Sequence, residues 1–151
     1  MDHVDLFRDA FAGAALINAL ANHPSLRCVR LTWNRVAPPH RSVVGAALGR
    51  LVAADAASLS ELNVAYCELD DAGLAPLFAA LPDSHHLRAL NVSYGGAEVG
   101  VSRAFAVRLL AAVRANTSLR CFSPPAAIGP FKVDLPELEE AEALVKARGA
   151  V

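Results

Sequence analysis

The chain has 151 residues, 54% of them apolar and 19% charged, with a formal net charge of −1. That composition suits one ordered domain with a substantial core and excludes a disordered tail. The near-neutral balance gives no electrostatic footprint for nucleic acid or an anionic membrane, and no apolar run approaches the roughly 18–20 residues of a membrane span.

The chain opens on Met1-Asp2-His3-Val4-Asp5, which is acidic where a secretory signal would be basic and then continuously apolar. A cytoplasmic, reducing setting is therefore expected, and three cysteines with no pairing pattern agree with it. From Leu6 an apolar stripe of Leu6, Phe7, Ala10, Phe11, Ala14, Ile17 and Leu20 predicts a first helix. Asn22 beyond it, and Asn116 beyond a later helix, stand where left-handed caps are expected.

An LxxLxL pattern then recurs as Leu26-Val29-Leu31, Leu59-Leu62-Val64, Leu87-Leu90-Val92 and Leu119-Phe122-Pro124. The interval is roughly 30 residues, the signature of a repeat architecture. Between these strands the spacing of apolar residues predicts helices over Val44–Ala54, Leu74–Leu81 and Phe105–Val113, with Asp70 and Asp71 opening the middle one. Alternation of period two turns the fourth and sixth positions of each strand inward and the third and fifth outward. The ninth position, Asn34 in the first unit and Cys67 in the second, turns inward again at the bend. One such unit cannot bury its own apolar face, so units must stack around a continuous core. The expected architecture is an α/β solenoid of about four strand–helix repeats, with a parallel concave sheet and helices on the convex side.

The last segment leaves the pattern. Pro124 cannot donate to a ladder and is expected to end the sheet, and Pro125, Gly129 and Pro130 read as an irregular link. A final helix is expected from about Leu135, with Asp134 as N-cap candidate and Pro136 in the first turn. Glu137, Glu139 and Glu140 suit its positive end, and Lys146 and Arg148 suit its negative end before Gly149. Its stripe of Leu138, Ala141, Leu144 and Val145 would cap the open end of the solenoid or dock on another chain. The expected organisation is thus a solenoid over 1–123 and a link with a capping or docking helix over 124–151.

Two stretches carry a family resemblance: Leu59-x-x-Leu62-x-Val64-x-x-Cys67-x-Leu69 with Gly73, and Leu26-x-x-Val29-x-Leu31-x-x-Asn34-x-Val36 with Gly45. The chain from about Leu6 to Phe122 resembles the leucine-rich repeat family, specifically its ribonuclease-inhibitor-like subfamily. That resemblance implies strand–helix repeats with Asn or Cys at the ninth position, and a binding surface whose partner differs from member to member. Gly95 and Ala127 hold the ninth position in the third and fourth units, so the inward hydrogen-bonding side chain is lost there.

The outward strand positions, Cys28 and Arg30, Glu61 and Asn63, Ala89 and Asn91, Cys121 and Ser123, are expected to form the concave face. The eighth position is Trp33, Tyr66 and Tyr94 in three successive units, which takes up the one tryptophan and both tyrosines of the chain. Strands about 4.8 Å apart would align these rings as a column, a typical anchor for a protein partner, although they could equally fill space at the loops. Longer links follow the first and third strands, at 37–42 and 95–100, and emerge beside the column. Arg30, Arg35, His40 and Arg41 make the first corner basic, either a solvated corner or a site for an acidic ligand.

Cys28 and Cys121 share a repeat position three units apart, about 14 Å by strand spacing, too far for a disulfide or a shared metal. Cys67 reads as a core residue, and His85 and His86 as loop polarity. Asn91 and Asn116 begin glycosylation sequons that read as chance matches. No nucleophile sits beside a base, and no phosphate loop or metal spacing is present, so no catalytic residue, cofactor or metal is expected.

The leading expectation is a non-enzymatic protein–protein interaction module that binds through Trp33, Tyr66, Tyr94, Arg30, Glu61, Asn63, Asn91, Arg35 and Arg41. The alternative is a structural subunit of a larger assembly, or an incomplete solenoid that self-associates, with the C-terminal tail as one route to a homo-oligomer. The resemblance also extends to GTPase activators, for which only Asn34 and Arg35 could serve, and is compatible with a ubiquitin-ligase-associated regulator, though no recruiting motif is visible.

Overall fold

The computed structural model describes residues 6–21, 23–93, 99–127 and 135–150. Among these, helices α1 (Ala10–Leu20), α2 (Arg41–Ala53), α3 (Asp71–Ala80), α4 (Arg103–Ala115) and α5 (Pro136–Gly149) alternate with three-residue strands β1 (Cys28–Arg30), β2 (Glu61–Asn63), β3 (Ala89–Asn91) and β4 (Cys121–Ser123), before α5 closes the series. The strands pair in chain order, all parallel, in one sheet.

Register puts Val29, Leu62, Leu90 and Phe122 side by side, all buried, while the residues flanking them on each strand are more open. This is the inward and outward alternation that the repeat pattern requires. The strands are short, so the ladder is prolonged by bonds just beyond them: the amides of Leu31, Val64 and Val92 donate to the carbonyls of Asn63, Asn91 and Ser123 at 2.8, 2.9 and 3.0 Å. β4 is the last strand of this sheet and Pro124 follows it directly, as its missing N–H predicts. A parallel bridge, Val101 to Ala127, carries pairing a little further on the link side.

The bends are shaped by the ninth position. Asn34 donates Nδ2 to the carbonyls of Leu31 and Thr32, and its Oδ1 accepts the amide of Leu6. Cys67 is buried and donates Sγ to the carbonyl of Leu31 in the preceding repeat at 2.9 Å. Burial pushes its thiol up to about 12, which leaves it an inert core group.

Three expectations about helix ends change. α1 begins at Ala10, because the Asp9 carboxylate accepts the amides of Phe11 and Ala12 and so fixes the cap there. Asn116 does not adopt a left-handed cap; its φ and ψ of −71° and 136° are extended. Its side chain is instead fully buried, donating Nδ2 to the carbonyls of Leu81 and Ser84 and accepting the amides of Ser118 and Leu119. A buried amide with every group occupied fixes the turn between α4 and β4 against the preceding repeat more firmly than a cap would. Leu135 stands at the cap of α5 with no side-chain bond, and Pro136 occupies its first turn. Asn22, Tyr94, Gly95, Gly129, Pro130 and Asp134 lie outside the described residues.

α5 packs on α4 and β4, with Leu138, Ala141 and Val145 entering the same apolar cluster as the strands. Arg148 donates to the carbonyls of Val113 and Arg114 at the end of α4. Among the described residues no helix is long and apolar enough to cross a membrane.

α2 and α3 meet most closely. A methyl group on Gly45 would stand 2.2 Å from the Gly73 carbonyl oxygen, and one on Gly49 would stand 2.7 Å from Pro76 Cβ. Two glycines one turn apart on α2 thus present bare backbone to α3. Gly45→Ala should destabilise the protein by about 1–3 kcal/mol in urea unfolding, because a backbone oxygen cannot yield as a side chain can. An unchanged midpoint would mean that the two helices do not approach this closely.

Candidate functional site

The concave face is framed by the sheet and by the turn that follows each strand. Trp33 and Tyr66, at the eighth position of the first two repeats, lie stacked with ring centroids 3.8 Å apart and planes 7° from parallel. Their backbones are held alike: the amide of Trp33 donates to Ala65 and that of Tyr66 to Ser93, both at 3.1 Å. Both residues are left-handed, with φ of 64° and 62°, as is Glu68 at 57°. Bulky residues in this region are strained, and such strain concentrates at functional positions. Trp33 remains 65% exposed. The structure therefore brings together two of the three aromatic residues expected to form a column, and Tyr94 lies outside the described residues.

The polar candidates are engaged differently from the expectation. The basic corner is neutralised. Arg30 donates to Glu61 at 2.9 Å, Arg35 pairs with Glu68, and Arg41 pairs with Asp70 at 3.0 Å. Each of these three arginines of the first repeat has found a carboxylate on the second. Arg41 is also only 9% exposed and donates Nε toward the Val36 carbonyl, so it props the turn before α2 and does not face a ligand. The hydrogen bond to Arg30 holds the Glu61 carboxyl below its usual range, while burial and the neighbouring Glu61 raise the Cys28 thiol. Asn63 and Asn91 each turn their Oδ1 onto the backbone two residues on, at the amides of Ala65 and Ser93. They shape the bend that presents the aromatic position.

The helix starts carry further links between repeats. Asp70 caps α3 through the Gly73 amide, and Asp71 accepts from the Ser102 amide and hydroxyl at the head of α4. His85 and His86 converge on one carboxylate, Asp55, whose φ is 44°. Burial opposes ionisation of Asp55, but the bonds from both histidines outweigh it and hold its carboxyl at about 2. Nothing in the sequence spacing pointed to this clasp, because Asp55 and the histidines belong to equivalent loops of different repeats. Among the described residues no group of three or more His, Cys, Asp and Glu side chains could hold a metal ion. Cys28 and Cys121 are free, and neither they nor Cys67 form a disulfide.

The family model described as "Leucine Rich repeat" matches residues 56–78, the unit containing β2 and most of α3. The fold is similar to that of the tropomodulin C-terminal domain of Caenorhabditis elegans, with a TM-score of 0.59 and 13% identity over 94% of this chain and 93% of that one. It is also similar to a structure titled "Leiomodin-1 Actin-Binding Site 2", with a TM-score of 0.54 and 12% identity over 91% of this chain and 87% of that one. No curated protein sequence matches the chain. The repeat match, the parallel sheet and these likenesses define a short leucine-rich-repeat α/β solenoid with a C-terminal helix. Folds of this class present a protein-interaction surface.

The Asp55 clasp makes a signed prediction. A carboxyl depressed from 3.8 to about 2 adds stability above its unfolded value and loses it as the pH falls through the folded one. Urea unfolding from pH 7 downward should show this contribution intact to about pH 4 and vanishing towards pH 2. Asp55→Asn should lower stability at neutral pH and flatten that acid limb. An identical acid limb in the variant would remove Asp55 from the account.

Proposed function

We propose that this protein is a non-enzymatic interaction module that binds another protein at the concave face, with Trp33 and Tyr66 as the anchor and Tyr94 as its continuation. The observation that carries this reading is the Trp33–Tyr66 stack: two bulky residues kept in a left-handed backbone, at the same position of adjacent repeats, with the tryptophan open to solvent. A buried filler would not need that exposure, and glycine would fill the turn at less cost. Arg30, Glu61, Arg35 and Glu68 flank the anchor as paired charges, which suits a polar rim around an aromatic centre. Asn63 and Asn91 support it from below, and Arg41 holds the first turn. We read the repeats as ribonuclease-inhibitor-like, since each couples its strand to a full helix, and the three free thiols suit a cytoplasmic setting.

A second reading, self-association of an incomplete solenoid, is favoured by α1. Its outer side exposes Phe11 at 67% and Leu16 at 45%, with Ala12, Ala15 and Ala19 beside them, and the helix carries no charged residue. α5 is a weaker route to a homo-oligomer than the sequence suggested, because its apolar side is already occupied by α4 and β4.

Trp33→Gly tests the leading reading. Glycine relieves the left-handed backbone and forfeits the stack, so stability should stay within about 1 kcal/mol. Partner affinity should fall by about 2 kcal/mol or more. Purified actin, the protein in one neighbour's title, is the first probe. For whichever partner is captured, affinity unchanged by Trp33→Gly and by Tyr66→Ser would end the concave-anchor reading. Light scattering separates the second reading: a concentration-dependent dimer that Leu16→Glu converts to a monomer supports it, and a monomer at all concentrations ends it.

A further inference from the structure

The convex side carries a groove that the concave reading does not use. It lies between α3 and α4, has a volume of about 150 Å³, and is lined by Ala75, Phe78, Ala79, Phe105 and Arg108. Phe78 and Phe105 form its apolar floor, buried and edge-to-face with centroids 5.8 Å apart. Ala75 and Ala79, one helical turn apart on α3, leave one wall low, since neither side chain reaches past its first carbon. An engineered apolar cavity of about this volume takes up benzene, so the space matches one aromatic or large aliphatic side chain.

Arg108 stands at the mouth, its guanidinium carbon 5.5 Å from the centroid of the Phe105 ring. The other α4 arginines are paired, Arg103 with Glu137 and Arg114 with Glu140. Arg108 makes no ion pair among the described residues, and α4 itself contains no acidic residue. An unneutralised cation held over an aromatic floor thus borders a space the size of one apolar side chain. A guanidinium at this distance lies within cation–π range of the ring, and its planar fork of N–H groups suits a two-point grip on a carboxylate.

We propose that the α3–α4 groove is a second docking surface, for a protein segment that presents an aromatic or large aliphatic side chain next to a carboxylate. The side chain enters between Ala75 and Ala79 and covers Phe78, and the carboxylate accepts from Arg108. This surface faces away from the Trp33–Tyr66 anchor, so the two can be occupied together, and its occupancy does not depend on the concave reading.

The test uses the full isotopically labelled chain and two capped dipeptides, N-acetyl-Phe-Asp-amide and N-acetyl-Phe-Asn-amide, followed by amide chemical shifts. The first should bind with roughly millimolar affinity and move the signals of Ala75, Phe78, Ala79, Phe105 and Arg108. The second should bind about three- to fivefold more weakly, the factor for an exposed ion pair. Arg108→Gln should abolish that preference, and Ala79→Leu, at an exposed helical position, should fill the groove and abolish binding of both. Either no groove shifts at ~10 mM dipeptide, equal affinity for the two dipeptides, or shifts confined to the Trp33–Tyr66 turns would overturn the proposal. The amide spectrum of each variant reports its fold in the same experiment.

Discussion

Two spacings that cannot both be satisfied govern this molecule. Parallel strands sit about 4.8 Å apart, whereas packed helices need about 8–10 Å between axes. A stack of strand–helix units must therefore curve, and the size of the residues between neighbouring helices sets how much. Gly45 and Gly49 against Gly73 and Pro76 bring α2 and α3 backbone to backbone. Phe78 and Phe105 then hold α3 and α4 apart, and the convex groove opens over those two rings. The arc is uneven because its spacers are glycine on one side of α3 and phenylalanine on the other.

Charge follows the same neighbour-to-neighbour logic. Arg30, Arg35 and Arg41 meet Glu61, Glu68 and Asp70, and Ser102 meets Asp71. Each contact joins residues roughly one repeat apart, so each reports stacking order and not the fold of a single unit. The exposed pairs, those of Arg30 and Arg35, contribute little to stability individually, but with the buried Arg41 they penalise a slipped stack in which like charges would meet. Asn116 and Asp55 act alike at the opposite turns, each with a side chain that bonds across to a neighbouring repeat.

The architecture was legible because period-two and period-3.6 patterns alternate along the chain, and burial enforces both. Leu62 could face only inward, and Asp70 had to precede a helix. Contacts between repeats were much less legible. Arg41 reads as a surface cation until Asp70 and the Val36 carbonyl are placed beside it, and Asn116 reads as a cap until Leu81 and Ser84 surround it. Such roles depend on which loops the stacking aligns, and local spacing does not encode that. The Trp33–Tyr66 pairing was legible, being a strand-spacing argument, but the left-handed backbone beneath it was not, since nothing in the residue types asks for it. The α3–α4 groove went unseen for a related reason: Ala75, Ala79 and Arg108 are unremarkable singly and matter only where two helices diverge.

The stacked tryptophan also turns the protein into its own optical reporter. Trp33 is the sole tryptophan and sits outside the core, in van der Waals contact with a tyrosine that can transfer excitation to it. Its emission will start near the wavelength of a solvated indole and shift little when the core melts. Fluorescence melts will therefore follow the local loosening of one turn, while circular dichroism follows the helices. Disagreement between the two signals would reflect where the chromophore sits, with no need for a folding intermediate.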